Sequence, residues 1–372
     1  MNFLKKQSPV RIISLGFALV ILIGSVLLSL PYSIRDGVTL RYIDALYMST
    51  SAVCVTGLLT VDAGDTFTPL GQFFLCMLIQ IGGLGVTAVG TGVILAMGKK
   101  INLKARNLIR EAGNLDSGKG VIRFIRLVFL TTVTFELAGA ALSFLVFRKS
   151  FPPLKAAGVS LFHSVASFNN SGFDILGGGQ NLIPYQDDIL LNLVTCALVI
   201  FGGIGFLVIR EVIAKRFRWK KLSMHAKVVL FMSLVLTAAG TVLLKLTEDI
   251  TWMGAFFTSV SARTAGFSTF PLGSFSGAGL LTVIVLMVIG ASPGSTGGGI
   301  KTTTCYVLFE GIRSSATNTS EKAFRYAVPT DAFRKAAVIT LLAIGIVLSG
   351  TYILVILEPG VPFLDALFEM SS

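Results

Sequence analysis

The chain has 372 residues, of which 53% are hydrophobic and only 13% are charged, and its mean hydropathy is +0.80. Soluble domains average about 25% charged residues, and a single core of this size could not bury so much apolar surface. These values exclude an ordinary cytosolic enzyme, a disordered chain and a disulfide-stapled secreted domain, and they predict a polytopic helical membrane protein.

The formal net charge of +12 is spread along the chain in a pattern typical of membrane proteins. Acidic residues prevail between four basic segments, which are residues 5–11, 98–120, 210–227 and 313–335. By the positive-inside rule, this alternation places the N-terminus and the basic segments in the cytoplasm. It argues against nucleic acid as a partner, which the net charge by itself would suggest.

Seven apolar runs are long enough to be membrane spans. In chain order they are residues 12–30, 70–97, 121–147, 189–209, 228–246, 280–309 and 336–357. The first run lacks a small-residue cleavage site, which favours a retained helix over a removable signal peptide. The charge pattern predicts that these spans alternately leave and re-enter the cytoplasmic side.

Three outer segments between these spans contain matching apolar stretches that are too short to cross a bilayer. Residues 44–57, 159–172 and 253–266 align without gaps, and each ends in Gly followed by a large apolar residue. Plain outer loops with turn glycines would not require three ungapped copies. We therefore expect re-entrant half-helices, which a bilayer tolerates where they are buried in protein or line a water-filled cavity.

A re-entrant half-helix of this kind is suited to binding a cation. Its C-terminal end, the negative end of the helix dipole, is aimed at the middle of the protein. The carbonyls of the extended residues after it are free to replace the water around a dehydrated ion. Glycine permits a positive φ there, so that successive carbonyls can point the same way. The repeated pattern predicts an ion filter.

The third return span is interrupted. Its first leg, residues 280–291, is followed by Ser-Pro-Gly-Ser-Thr-Gly-Gly-Gly at 292–299, which no continuous helix survives. A polar break at membrane depth is expected where it lines a cavity. Residues 294–302 approximate a phosphate-binding loop, but with one residue too many and no preceding strand. Residues 83–88 fit G-x-G-x-x-A, which close helix packing explains better than a dinucleotide fold.

Two kinds of isolated polar residue stand out. Glu136 lies in the middle of a span and is either functional or paired at a helix interface. His163 and His225 are too far apart in sequence to suggest an acid–base pair or a metal cluster.

The segments S-A-V-C-V-T-G-L (51–58), S-F-N-N-S-G-F (167–173) and S-A-R-T-A-G-F (261–267) resemble the first three filters of the Trk/Ktr/HKT superfamily of potassium transporters. The short N-terminus is closest to the KtrB-type membrane subunit. The resemblance implies an all-α integral membrane fold of repeated helix–pore loop–helix units around a central ion pathway. The repeats would be residues 1–115, 116–222, 223–318, with a broken second helix, and an incomplete 319–372.

The resemblance also implies site residues. K⁺ would be bound by the backbone carbonyls of three arcs, with Gly at the matching position of each: Val55, Thr56, Gly57 and Leu58; Asn170, Ser171, Gly172 and Phe173; Thr264, Ala265, Gly266 and Phe267. An intramembrane gate would comprise Ala291, Ser292, Pro293, Gly294, Ser295, Thr296, Gly297, Gly298, Gly299 and the nearby Lys301. Because a bare positive charge facing the ions would oppose cation entry, we expect Arg263 to point behind the filter and to pair with a carboxylate.

The function implied is K⁺ translocation across the bacterial plasma membrane, without enzymatic chemistry or a covalent cofactor, and with Na⁺ as a coupling or activating ion. Family members are homodimers in the lipid membrane and bind a cytoplasmic ring of KtrA/TrkA-type nucleotide-sensing subunits. The basic loops are the expected docking surface. The alternative is a non-conducting or truncated scaffold that only docks partners.

The C-terminal end departs from the four-repeat pattern. Asp365 to Phe368 repeats Asp44 to Tyr47, so the fourth filter glycine would fall at position 378, beyond Ser372. Three arcs would leave the ring open, and we expect the chain as written not to form a selective pore alone. A fragmentary record, a disrupted gene, an expression boundary and completion by a second polypeptide are all open, and we favour an incomplete sequence.

Overall fold

A computed structural model describes residues 9–86, 88–90, 92, 120–319, 322–324, 326–327 and 329–372. The basic segment at 98–120, apart from Gly120, the end of the run at 70–97, and most of the basic N-terminus lie outside the described residues. The chain divides into two compact units, one up to Gly202 and one from Gly203 onward.

The first unit repeats one order of helices twice: a long helix, a half-helix and an apolar return helix. The half-helix α2 packs against α1 and α4, and the half-helix α6 packs against α5 and α4. The helices are α1 (Pro9–Leu28), α2 (Tyr42–Cys54), α3 (Ala63–Thr66), α4 (Pro69–Leu84), α5 (Val121–Phe147), α6 (Pro153–Phe168) and α7 (Ile189–Ile204), with 3₁₀ turns at Pro31–Ser33 and Ile183–Tyr185.

The second unit contains a third copy of this order and the beginning of a fourth. The half-helix α10 packs against α9 and α11, and α13 packs against α12 and α14. The helices are α8 (Phe206–Ala214), α9 (Met224–Thr247), α10 (Trp252–Ala262), α11 (Gly277–Val288), α12 (Thr302–Thr317), α13 (Thr330–Leu357) and α14 (Phe363–Ser371), with 3₁₀ turns at Trp219–Lys221 and Leu272–Ser274. A two-residue antiparallel pair, β1 (Lys322–Ala323) and β2 (Tyr326–Ala327), precedes α13.

Hydroxyl side chains begin several of these helices. Thr68, Ser223, Thr251 and Ser276 each accept a hydrogen bond from the backbone N–H three residues later. Each bond satisfies one of the N–H groups that a helix start leaves without an intrahelical partner. These caps fix where the long helix α9, the half-helix α10 and the return helices α4 and α11 begin.

Four described helices are long and apolar enough to cross a membrane without interruption, and they comprise residues Arg11–Leu28, Val121–Phe147, Met224–Thr247 and Asp331–Leu357. Their outer faces carry large apolar side chains: Leu137 is 60% exposed, Leu234 70% and Leu341 70%. In water each exposed apolar Å² would cost about 25 cal/mol, a cost that lipid acyl chains remove.

The return helices differ from the sequence prediction of continuous spans. The predicted run 189–209 is divided into α7 and α8 at Gly205, whose φ is +98°. Gly85, at φ +84°, likewise ends α4 inside the predicted run 70–97. A positive φ is incompatible with a right-handed helix, and glycine adopts it without steric cost. The first helix of each repeat is thus continuous, and all three return helices are interrupted.

Candidate functional site

The three predicted filter loops share one backbone conformation. In each loop, the residue two positions before the predicted filter glycine has a positive φ, and so has the glycine itself, whereas the residue between them does not. For a residue with a side chain this conformation costs about 1–2 kcal/mol, so the surroundings impose it. The φ values are 57° at Val55, 57° at Asn170, 82° at Thr264, 77° at Gly57, 71° at Gly172 and 80° at Gly266.

A similar hydrogen bond closes each half-helix, with its donor one residue later in the third repeat than in the first two. A backbone N–H at the start of the loop donates to the carbonyl five residues earlier, as in a Schellman C-terminal motif. The donor and acceptor residues are Thr56 and Ser51 (3.0 Å), Ser171 and Ala166 (2.9 Å), and Gly266 and Ser261 (3.2 Å). The three aligned stretches thus end in turns with the same pattern of φ, while the closing hydrogen bond of the third turn is shifted by one residue.

The first two loops lie side by side in the first unit. A Cβ added to Gly57 would lie 2.6 Å from the carbonyl oxygen of Ser171. On the return helix α4, neighbouring glycines face the ends of the two half-helices, Gly82 towards the Val53 carbonyl and Gly83 towards the Asn169 side chain, each too closely for a Cβ. The glycine motif at 83–88 therefore begins with close packing, as predicted, and its second glycine, Gly85, is the helix break.

Two carbonyls of the predicted arcs already accept hydrogen bonds from side chains. Asn181 Nδ2 donates to Gly172 O at 3.1 Å and to Asp174 Oδ2 at 2.9 Å. Ser261 Oγ donates to Phe267 O at 2.5 Å. A carbonyl oxygen has two lone pairs and can accept more than one hydrogen bond.

An acidic group ties the outer segments of the first two repeats together. Asp65 Oδ2 accepts from the backbone N–H of Gly178, and Asp62 Oδ2 accepts from that of Gly179, both at 2.7 Å. Burial raises the pKa of the neighbouring Asp174 to about 6, and the charges of Asp62 and Asp65 add to the rise. Sequence reasoning missed Asp62 and Asp65, because their partners lie more than a hundred residues away in the chain, and it missed Asn181, for which no sequence motif was recognised.

Arg263, in the third repeat, meets a hydroxyl group among the described residues and not the carboxylate that was predicted. Its guanidinium donates to Thr237 Oγ1 on α9 at 2.8 Å, and only 9% of the residue is exposed. No carboxylate among the residues that the structure describes lies within ion-pair distance of it. The half-helix α10 approaches α9 closely, with Ser259 Oγ donating to Thr237 O and lying against Gly240. A hydroxyl is therefore the group that Arg263 meets.

The predicted gate, residues 291–299, is a compact loop closed at its base. Gly290 N–H donates to Ile300 O at 2.9 Å, and Ile300 N–H donates to Val288 O at 3.1 Å. A Cβ on Gly299 would lie 2.6 Å from the Gly290 Cα, so both glycines are needed where the two legs cross. Lys301 Nζ donates to Gly297 O at 2.7 Å, and its charge is thus directed at the loop carbonyls.

The loop contacts the break in the second return helix. Ser292 N–H donates to Gly203 O at 2.9 Å, and Phe206 N–H donates to Gly294 O at 3.0 Å. A Cβ on Gly205 would lie 2.7 Å from Pro293 O. The helix break and the loop thus satisfy each other's backbone groups, which non-helical chain at membrane depth requires.

The remaining polar residues of the sequence prediction are structural or hydrogen-bonded. His163 is buried, and its Nε2 lies 2.9 Å from Thr195 Oγ1. Glu136 is buried in α5 and accepts from Asn169 Nδ2 at 3.1 Å. No group of three metal-ligating side chains occurs within the described part of the chain. The stretch at 294–302 leads into α12 from a loop that follows a helix, unlike a phosphate-binding loop.

Comparison with known proteins identifies the family. The family model TrkH, described as cation transport protein, matches residues 11–248 and 222–372. The potassium/sodium uptake protein NtpJ of Enterococcus hirae is 39% identical over 315 residues, covering 82% of this chain and 69% of that protein. The Ktr system potassium uptake protein B of Bacillus subtilis is 36% identical over 379 residues, covering 98% and 84%.

Among solved structures, the potassium transporter TrkH from Vibrio parahaemolyticus matches with a TM-score of 0.71 and 20% identity, covering 95% of this chain and 74% of that one. This match confirms the predicted fold class, an all-α membrane protein of helix–pore loop–helix units. The family model and the relative from Bacillus subtilis confirm the resemblance on which the prediction rested. The chain belongs to the TrkH family of cation transport proteins, which are membrane transporters and not enzymes.

Proposed function

We propose that this protein carries K⁺ across the plasma membrane through a path lined by the backbone carbonyls of loops 55–58, 170–173 and 264–267. The observation that carries the proposal is the shared left-handed turn that ends each half-helix. One relative is named as a potassium/sodium uptake protein and another as a potassium uptake protein, which supports K⁺ as the cargo.

Selectivity in such a path comes from exchanging water for carbonyl oxygen. An ion that sheds its hydration shell must recover that energy from the carbonyls it meets. The negative ends of α2, α6 and α10 lie next to the loops and favour a cation there. Because the contact between Gly57 and Ser171 brings two loops together, the first two arcs can contribute to one site.

We further propose that loop 291–299, with Lys301, gates the path. Two backbone hydrogen bonds join this loop to the break around Gly205. A typical intramolecular hydrogen bond contributes about 0.5–1.5 kcal/mol net, so a binding partner could supply enough energy to release the loop. Helix α8 begins at Phe206, directly at this contact, and ends at Ala214, inside the third basic segment, residues 210–227.

This connection supports a cytoplasmic regulator of the KtrA/TrkA type, a nucleotide-sensing ring docked on the basic loops of a homodimer. Lys215, Arg216, Arg218 and Lys221 line a surface cavity of about 350 Å³ at the end of α8. A cytoplasmic N-terminus, as the positive-inside rule predicts, places this surface on the ring's side of the membrane. Na⁺ would then act as a coupling or activating ion.

The test is rescue of a bacterium that lacks its own K⁺ uptake systems. The full-length protein, expressed with its ring subunit, should restore growth in medium of low K⁺ and should mediate saturable K⁺ uptake. The proposal would be contradicted if the protein is present in the membrane but the cells need as much added K⁺ for growth as the parent strain does. If the protein then still bound the ring subunit, the scaffold alternative would account for it.

A further inference from the structure

Three polar side chains from three helices meet directly behind the second filter loop. Asn169 caps α6 and is the last residue before loop 170–173. Its Nδ2 donates to Gln80 Oε1 on α4 at 2.9 Å and to Glu136 Oε1 on α5 at 3.1 Å. Asn169 is fully buried, and Glu136 is 7% exposed. The two acceptors belong to different repeats, so the cluster joins the first repeat to the second.

The surrounding backbone leaves Asn169 little room to move. Its side chain lies against Gly83 on α4, where any Cβ would overlap its Oδ1. Its Nδ2 also lies 2.9 Å from Val165 O, one turn back in its own half-helix. On the opposite side, Ser164 Oγ donates to the backbone carbonyl of Glu136 at 2.6 Å. Glu136 on α5 therefore contacts α6 at two residues, five positions apart, through its backbone and its side chain.

The next residue along the chain, Asn170, begins the filter loop in the left-handed conformation, with φ at 57°. A change in the orientation of Asn169 would therefore be passed directly to the loop carbonyls. Helix α4 also bears on the first loop, because Gly82 faces the Val53 carbonyl two residues before Val55. The cluster thus lies where the spacing between the two loops is set.

A carboxyl group inside a span is costly and persists where it has a specific task. We propose that Glu136 and Gln80 are positioning residues that hold Asn169 and thereby set the second filter loop against the first for K⁺. This inference rests on the proposed function. Glu136 acts as a hydrogen-bond acceptor, and its charge is not required. An amide oxygen at position 136 can accept from Asn169 Nδ2 in the same way, whereas a leucine cannot.

The experiment compares E136Q and E136L in the full-length protein reconstituted into vesicles, with K⁺ and Na⁺ fluxes measured separately. Glu136 Oε1 is the acceptor that joins Asn169 Nδ2 to α5, whereas Gln80 Oε1 and Val165 O lie on α4 and α6, so E136L removes this link and should reduce the preference for K⁺ over Na⁺ about tenfold. E136Q should stay within about twofold of wild type. The matched control is T132V, one turn earlier on α5, because the buried Thr132 Oγ1 has no hydrogen-bond partner in the described part of the chain.

Unchanged ion preference in E136L would overturn the inference. An E136Q variant as impaired as E136L would also overturn it, because the charge at position 136, and not a hydrogen-bond acceptor, would then be required. If E136L does not reach the membrane, Q80L removes the other side-chain acceptor of Asn169 Nδ2. It should lower the preference for K⁺ over Na⁺ about threefold, and an unchanged preference would refute the inference. A wild-type protein without K⁺ flux would instead refute the proposed function. Normal wild-type selectivity with unaffected variants would refute the positioning role alone.

Discussion

Substitution of Gly57 by serine is the sharpest perturbation of the proposed filter. Gly57 has a φ of +77°, and a Cβ there would lie 2.6 Å from Ser171 O, whereas ordinary contacts are 3.4–4 Å. The left-handed backbone costs a residue with a side chain about 1–2 kcal/mol. In addition, the two loops must separate by about 0.8 Å to restore an ordinary contact, the difference between 3.4 and 2.6 Å.

A displacement of this size affects the carbonyls that would replace the ion's water. A differential energy of about 2 kcal/mol corresponds to about 30-fold in an equilibrium constant. We therefore expect Gly57→Ser to lower the preference for K⁺ over Na⁺ by tenfold or more. The assay is flux in reconstituted vesicles with each ion in turn, together with the thermal unfolding midpoint of the protein in detergent.

The matched control is Gly37→Ser. Gly37 has nearly the same backbone conformation, with a φ of +81°, but nothing lies within 4 Å of the position of its Cβ. It therefore reproduces the backbone strain without the contact, and we expect a small loss of stability with unchanged ion preference. Equal ion preference in wild type and Gly57→Ser, or an equal loss in both variants, would refute the reasoning that the contact between loops sets selectivity.

Other substitutions test the gate and the supports of the loops. Gly205→Ala places a Cβ 2.7 Å from Pro293 O at a φ of +98°, so it should loosen loop 291–299 and raise K⁺ flux without the ring subunit, a result that unchanged flux would contradict. Arg263→Gln should lower the thermal unfolding midpoint more than Thr237→Val does. Both variants lose the hydrogen bond between the two side chains, but only Arg263→Gln also removes part of a long, buried side chain. Equal shifts of the midpoint would contradict this order. Asn181→Leu removes the donor to the second loop's glycine carbonyl and should reduce K⁺ preference about threefold, as measured by competing Na⁺ in the flux assay.

The half-helices and their glycines could be predicted from sequence, because the residues that determine them lie next to one another in the chain. Three ungapped stretches of similar composition fold into the same turn, and the glycine at each end is required by its own backbone conformation. The interruption at 292–299 could also be predicted from sequence, since a cluster of proline and glycine excludes a continuous helix.

The break at Gly205 could not be predicted from sequence in this way. It lies inside an apolar run whose glycines, at 202, 203 and 205, close helix packing explains equally well, and the break contacts the loop around Pro293, some ninety residues later in the chain. The cluster behind the second filter loop was hidden for the same reason, since Gln80 and Glu136 meet at Asn169 only after three helices pack. The prediction that Arg263 pairs with a carboxylate was wrong for the described residues. The close approach of α10 to α9 brings the hydroxyl of Thr237 to the guanidinium instead.

The central claim is that this protein selects and conducts K⁺. Its most direct measurement is uptake of a radioactive rubidium tracer, a K⁺ substitute, into vesicles containing the full-length protein and its ring subunit, with increasing K⁺ or Na⁺ outside. The account predicts that K⁺ suppresses tracer uptake at far lower concentrations than Na⁺ and that Gly57→Ser narrows this difference. Equal suppression by the two ions in wild type, or no uptake above protein-free vesicles, would contradict it.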